Sequence, residues 1–95
     1  MNSEAQLNRR GLLKLMLRMP EMREHLKELS ATNESVALLC GAFEDASAIL
    51  EKLQMNPAEA NHSAISEYRL ICSEIESEVR SICLHIYSRR KGKHS

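Results

Sequence analysis

Three stretches of the chain carry apolar residues at alternating spacings of three and four. The first seam is Leu12, Leu15, Met19, Met22, Leu26 and Leu29, the second is Val36, Leu39, Phe43, Ala46, Leu50 and Leu53, and the third is Ile65, Tyr68, Cys72, Ile75, Val79, Ile82 and Ile86. Because this spacing averages 3.5 residues, each run stays on one face of an α-helix and packs against another helix. The pattern predicts an all-α fold, a small antiparallel bundle of three or four helices.

The length and composition agree with one aliphatic helical domain. A chain of 95 residues is one domain, and it buries only about 60–65% of its unfolded surface. One Phe, two Tyr and no Trp leave an aliphatic core, which suits helix packing better than a pocket for a flat cofactor. Gly and Pro total only five residues, too few for the turns of a β protein.

The helix bounds follow from the seams and from the breaks between them. We expect a frayed start over 1–5, a first helical segment over 6–29, a second helix over 34–55, a long third helix over 57–88 and a mobile basic tail over 89–95. The second and third helices form the central hairpin. Pro20 interrupts the first segment, because a proline inside a helix removes a hydrogen bond and clashes with the preceding turn. Either the helix kinks there or, as we prefer, it breaks and a new helix begins at Pro20.

Two local signals mark helix starts. Thr32 or Asn33 can cap the second helix, after a short linker over 29–33. Asn56, Pro57 and Glu59 form a capping-box pattern that starts the third helix, although Asn61 or Ser63 can also serve as its cap. The third helix then overhangs the second, and its apolar end needs cover from the first helix or from a second copy of the chain.

The second helix carries two further features. Leu38, Ala42 and Ile49 lie on a face beside its seam, as expected of a helix that lies between two others. Ala37, Gly41 and Ala48 provide a small-residue surface that a neighbouring helix can approach closely. Gly41 costs about 1 kcal/mol relative to alanine inside a helix, so packing must offset it.

The predicted core is drawn from the second and third seams. It consists of Val36, Leu39, Phe43, Leu50, Leu53, Ile65, Tyr68, Cys72, Ile75, Val79 and Ile82. Replacement of Ile75 by Asp is expected to be severely destabilising, because it buries a charge without a partner.

The charge distribution and the number of cysteines bear on self-association and on the cellular compartment of the protein. The balance is +3 over residues 1–27, −8 over 28–79 and +5 over 80–95. We interpret this distribution as solvated helix faces with a basic tail; the alternative is head-to-tail or antiparallel self-association through complementary charge. Three cysteines, Cys40, Cys72 and Cys83, are an odd number without a disulfide framework, which indicates a reducing compartment and a cytoplasmic location. No stretch approaches the roughly 20 apolar residues of a membrane span.

Catalytic and metal-binding patterns are missing from the sequence. His85 lies two residues from Cys83, and residues two apart do not face each other on a helix. There is no Cys-x-x-Cys, no His-Glu-x-x-His and no repeated Glu-x-x-His motif. We therefore expect no enzyme activity, no cofactor and no metal.

Protein binding is the function that the sequence favours. The first segment is apolar on nearly all sides, and a large exposed apolar patch marks an association site. We expect a homodimeric regulator or adaptor whose interface is formed by Leu12, Leu13, Leu15, Met16, Leu17, Met19, Met22, Ile82 and Ile86.

Nucleic-acid binding is the alternative. Basic residues repeat every four positions near the N-terminus, and a second group lies in the tail. The candidate phosphate contacts are Arg10, Lys14, Arg18, Arg89, Arg90 and Lys91. The zero net charge, the acidic middle and the lack of stacking aromatics argue against this alternative.

Overall fold

The computed structural model describes the backbone of residues 3–56 and 62–92, with side chains over 4–56 and 62–89. This part of the chain holds four α-helices and no strand, so the all-α prediction is confirmed. The helices are α1 (Ser3–Arg18), α2 (Arg23–Thr32), α3 (Glu34–Met55) and α4 (His62–Gly92), with a 3-10 turn (Pro20–Met22) between α1 and α2.

Successive helices reverse direction around the central helix α3. Asn8 on α1 lies against Gly41 on α3, and Lys14 reaches Glu51 farther along α3, so α1 and α3 run the same way. The end of α3 lies beside the start of α4, where Leu50 and Cys72 line one groove. The predicted hairpin of the second and third helices is therefore the pair α3 and α4.

The chain breaks at Pro20, the preferred of the two sequence readings. α1 ends at Arg18, and Met19 leaves the helical region with φ −131° and ψ 65°, as a residue before proline tends to do. Pro20 then takes the first position of the 3-10 turn, where its missing N–H costs nothing. The Met22 N–H donates to the Met19 carbonyl at 2.9 Å and closes the turn.

The predicted linker over 29–33 is almost entirely helical, which corrects the sequence reading. Ser30 and Thr32 donate their hydroxyls to the carbonyls of Lys27 and Glu28, each at 3.0 Å, so polar residues typical of a linker stay in the last turn of α2. Asn33 alone separates α2 from α3. Its side-chain oxygen accepts a hydrogen bond from the Val36 N–H at 3.1 Å and caps α3.

The outer bounds also differ from the expected ones. α1 begins at Ser3 rather than at residue 6, and α4 continues to Gly92 through residues that the sequence assigned to a mobile tail. The capping-box pattern at Asn56, Pro57 and Glu59 and the alternative cap at Asn61 fall on or beside 57–61, which lie outside the described residues.

The core is shared among all four helices. Its buried apolar members are Leu15, Met19, Met22, Leu26, Leu29, Val36, Cys40, Phe43, Ala46, Cys72, Val79 and Cys83. Only four predicted core residues are fully buried: Val36, Phe43, Cys72 and Val79. The other predicted members are half-buried: Leu39, Leu50, Leu53, Ile65, Tyr68, Ile75 and Ile82. The prediction was too narrow because it left out the first seam, which supplies five of the buried side chains.

Two glycines bring α1 close to α3. A Cβ on Gly11 would overlap the backbone carbonyl of Cys40, so the helices meet here at backbone distance. A Cβ on Gly41 would instead meet the side-chain amide of Asn8. The small-residue surface expected around Ala37 and Gly41 is therefore where α1 packs, and this packing accounts for a glycine inside α3.

α2 covers the overhanging end of α4. Glu21, just before α2, pairs with Arg80 at 2.7 Å, and the ring of His25 lies 4.5 Å from that of Tyr87. Cys83 is buried, and Ile82 and Ile86 are half-buried against the core. The sequence left open whether the first segment or a second copy of the chain covers this end of α4. The structure shows that the chain's own first segment covers it.

The outer face of α3 stays uncovered, contrary to expectation. α1 and α4 both pack on α3, yet Leu38 is 53% exposed and Ile49 is 40% exposed. The reason is the direction from which each neighbour approaches: α1 packs on the side of α3 that carries Gly41, and α4 packs on the side that carries Phe43. These two contacts leave a third side of α3 in water.

Candidate interaction groove

Lys14 on α1 is held by three groups of α3. Its Nζ lies 2.9 Å from Glu44 Oε1 and donates to Ser47 Oγ at 2.9 Å and to Glu51 Oε2 at 3.3 Å. Glu44 is only 6% exposed, so its carboxylate depends on Lys14 for a counter-charge. Burial alone lowers the pKa of Lys14, but the contacts with Glu44 and Glu51 outweigh that effect, and the pKa is raised above 10.5.

The end of α1 is tied to α4 by further ion pairs. Arg18 Nε lies 2.6 Å from Glu76 Oε1, and its guanidinium carbon lies 5.8 Å from the centre of the Phe43 ring. Arg80 links Glu21 to α4, and its hydrogen bond lowers the pKa of the Glu21 carboxyl below 4.5. Together with Lys14, these pairs hold the N-terminal segment against the α3–α4 hairpin.

A groove of about 610 Å³ opens where α1, α3 and α4 meet. Leu17, Phe43 and Leu50 form its apolar part, and Lys14, Arg18 and Arg69 supply three positive charges around it. We call it the basic groove, and its remaining lining residues are Ser47, Glu51, Gln54, Cys72 and Ser73. An apolar floor bordered by charged side chains suits a ligand that is apolar in the middle and charged at its edges.

Arg69 differs from the other two cations of the groove. Lys14 and Arg18 are already in ion pairs, whereas Arg69 is exposed and has no ion-pair partner in the described part of the chain. Its guanidinium is therefore available to an acidic group that enters the groove. Sequence reasoning missed Arg69 because it is an isolated basic residue within the acidic middle of the chain.

The structure divides the predicted partner interface. Leu15, Met19 and Met22 are buried in the chain's own core, so they are not on a surface of the single chain. Half-buried positions are Leu12, Met16, Ile82 and Ile86. Leu13, 50% exposed, and Leu17, 74% exposed, are the two exposed members of the predicted interface. We call them the outer α1 surface. The burial of the others follows from the tight α1–α3 contact at Gly11, which the seam spacing alone does not reveal.

The structure also separates the predicted phosphate contacts. Arg10 and Arg89 are exposed, but Lys14 and Arg18 form ion pairs with carboxylates of α3 and α4. The four-residue repeat therefore does not form a free basic stripe. The side chains of Arg90 and Lys91 lie outside the described residues.

The three thiols are packed inside the bundle. Burial raises the pKa of Cys40 from 9.0 to about 11, with a smaller contribution from Cys83. Burial also raises the pKa of Cys72 and of Cys83. These thiols are protonated near neutral pH and therefore poor nucleophiles.

The described residues place no group of three or more His, Cys, Asp or Glu side chains where a metal ion would be held. Among the same residues, no helix has both the length and the apolar character that crossing a membrane requires.

The buried acid Glu44 and its neighbour Ser47 were also missed by the sequence reasoning. Glu44 follows Phe43 directly and lies outside the apolar seam, so it was counted only as one of many solvated acids. The useful signal is the basic position Lys14, which lies beside Leu15 in the first seam. A lysine next to a buried seam residue lies at the edge of the helix contact, where an acid on the facing helix can pair with it.

Comparisons of the chain with protein-family models, with curated proteins and with solved structures find no match.

Proposed function

We propose that the chain is a small non-enzymatic protein-interaction module, a regulator or adaptor that binds protein through the outer α1 surface and the basic groove. The observation that carries the proposal is the position of Leu17. This side chain is 74% exposed and lies at the edge of a groove that also contains Phe43 and Leu50. An apolar residue beside an open groove gains free energy when a partner removes both from water.

Self-association belongs to this proposal. The sequence predicts a homodimer, and Leu13 and Leu17 are the predicted interface residues that remain available for one. A cytoplasmic location is proposed with it, because three reduced thiols are stable in a reducing compartment.

The protonated thiols and the ion-paired basic side chains support binding rather than catalysis. Protonated thiols do not supply a nucleophile, and Lys14 is occupied by two carboxylates and a hydroxyl. The ion pairs at Lys14, Arg18 and Arg80 all join one helix to another, which is a structural role.

Nucleic-acid binding has weaker support. A protein that neutralises phosphates needs free basic side chains, and Lys14 and Arg18 would have to leave carboxylate partners. Among the predicted contacts whose side chains the structure describes, Arg10 and Arg89 are the exposed ones without an ion pair, and two such residues form a small electrostatic footprint.

The test is affinity purification of the full chain from its native host, with nuclease treatment and identification by mass spectrometry. Leu13→Gln/Leu17→Gln is compared with wild type and with Leu38→Gln/Ile49→Gln, which changes two exposed apolar residues on α3. The expected result is a protein retained by wild type and by the α3 variant but lost with the α1 variant. Equal retention by all three forms, or release of every retained protein by nuclease, would contradict the proposal.

A further inference from the structure

The acidic residues of α4 lie on two different sides of the helix. Glu76 is half-buried and pairs with Arg18, whereas Glu67 and Glu74 are exposed and form no ion pair with any described residue. Leu70 lies between these two acids and is 59% exposed. At about 100° per residue, Glu67, Leu70 and Glu74 fall within an arc of about 60°. We call these three residues the acidic face.

The basic groove carries the complementary pattern. Its floor is apolar, with Leu17 at the edge, and three cations and the acid Glu51 also line it. Lys14 pairs with Glu44 and Glu51, and Arg18 pairs with Glu76, so the charges of these two cations are already balanced. Arg69 adds a positive charge that no described residue neutralises.

We propose that the ligand of the basic groove is the acidic face of a second copy of this chain. Leu70 of one copy would enter the groove beside Leu17 of the other, and Glu67 and Glu74 would approach Arg69. The inference rests on the proposed function and names its partner. Opposite charges around an apolar contact set orientation and increase the rate of association.

The placement of the two surfaces makes the contact head-to-tail. Arg69 lies about 140° from Glu74 and about 160° from Glu67 around α4, so a chain cannot put its acidic face into its own groove. Two different surfaces then meet in every contact, which produces rings or open chains of copies rather than a symmetric pair. The zero net charge of the chain keeps overall repulsion between copies small.

Two variants separate the two sides of the contact. The groove variant is Leu17→Gln/Arg69→Glu and the face variant is Glu67→Lys/Glu74→Lys; all four positions are exposed, and circular dichroism checks that each variant folds. Sedimentation equilibrium is measured over a range of concentrations at an ionic strength of about 0.05 M and of about 1 M, where the Debye length is only about 3 Å.

The expected results are specific to a head-to-tail contact. At low ionic strength the mass of wild type rises with concentration, and at high ionic strength it falls to that of one chain. Each variant alone remains a single chain. An equimolar mixture forms a complex of two chains that does not grow, because one variant supplies the only intact groove and the other the only intact acidic face.

Matched controls change the same charge elsewhere. Arg9→Glu lies outside the groove, and Glu24→Lys/Asp45→Lys adds as much positive charge as the face variant; both should associate like wild type. Wild type that remains a single chain under all conditions overturns the proposal, as does association that both variants retain. If the chain stays single but the groove variant loses a protein that wild type retains, the proposed protein-binding function stands, whereas self-association and the second copy as ligand are wrong.

Discussion

The α-carbon of Gly11 and the backbone carbonyl of Cys40 are so close that no side chain fits between them. Gly11→Ala must push α1 away from α3, because the obstacle is backbone rather than a flexible side chain. Overpacking of this kind costs about 3 kcal/mol, the upper end of the usual range. Urea unfolding monitored by circular dichroism measures the loss of stability.

Gly41→Ala is the matched control for that substitution. Its Cβ meets only the side-chain amide of Asn8, which can rotate away, and alanine improves helix propensity by about 1 kcal/mol. The net change in stability should lie within about 1 kcal/mol of zero. Equal losses for Gly11→Ala and Gly41→Ala would show that the α1–α3 contact is not centred on Gly11.

Lys14 and Glu44 should behave as a unit in unfolding experiments. Lys14→Met leaves the carboxylate of Glu44 buried without a counter-charge and should cost about 3 kcal/mol. The double variant Lys14→Met/Glu44→Met should lose less than Lys14→Met alone, because no charge stays buried. Arg10→Met, on the exposed side of α1, should change stability by less than about 0.5 kcal/mol. Additive losses in the double variant would mean that the two groups act independently.

The thiols should resist alkylation while the protein is folded. A pKa of about 11 for Cys40 leaves on the order of 100-fold less thiolate at pH 8 than the ordinary value of 9.0. Iodoacetamide followed by intact-mass measurement should show little modification in buffer and three modified cysteines in denaturant. Prompt modification of Cys40 in the folded protein would indicate that α3 and α4 separate readily.

Stability should fall in alkaline solution. The thiol of Cys40 has a higher pKa folded than unfolded, so its contribution is complete below pH 9 and is lost as pH rises toward 11. The loss amounts to about 1 kcal/mol between pH 9 and pH 10. Melting temperatures over this range, compared between wild type and Cys40→Ala, measure it. The slope should be shallower in the variant, and identical slopes would assign the effect to other groups.

A substitution at Ile75 tests which face of α4 packs against the core. Ile75→Asp puts a charge where the side chain packs against the core and should be severely destabilising, by about 3 kcal/mol or more. Leu70→Asp, on the outer face of the same helix, should change stability by less than about 0.5 kcal/mol. Unchanged thermal unfolding of Ile75→Asp would show that the third seam does not face the core.

The seams predicted the helices well because their periodicity depends on helix geometry alone. The first seam continues in phase across Pro20, and its residues Leu15 to Leu29 are buried on both sides of the break. Asn33 was one of two expected caps, and the structure identifies it as the one that accepts from Val36.

The site was harder to predict, because it depends on which faces meet. Leu15 and Leu17 look alike in the sequence, yet one is fully buried and the other is the most exposed leucine of α1. The difference is set by the approach of α1 to α3 at Gly11. Likewise, the partners of Lys14 and Arg18 lie thirty residues or more away in the chain. No local pattern indicates such pairings.

The single residue between α2 and α3 determines the shape of the whole molecule. Asn33 leaves the helical region with φ −122° and ψ 113°, and there the chain turns back on itself. If this corner were straight, α2 and α3 would join into one rod about 50 Å long. Met22 and Leu26 would then be carried off α4 into water. Asparagine at this joint thus decides between a folded-back molecule and an extended one.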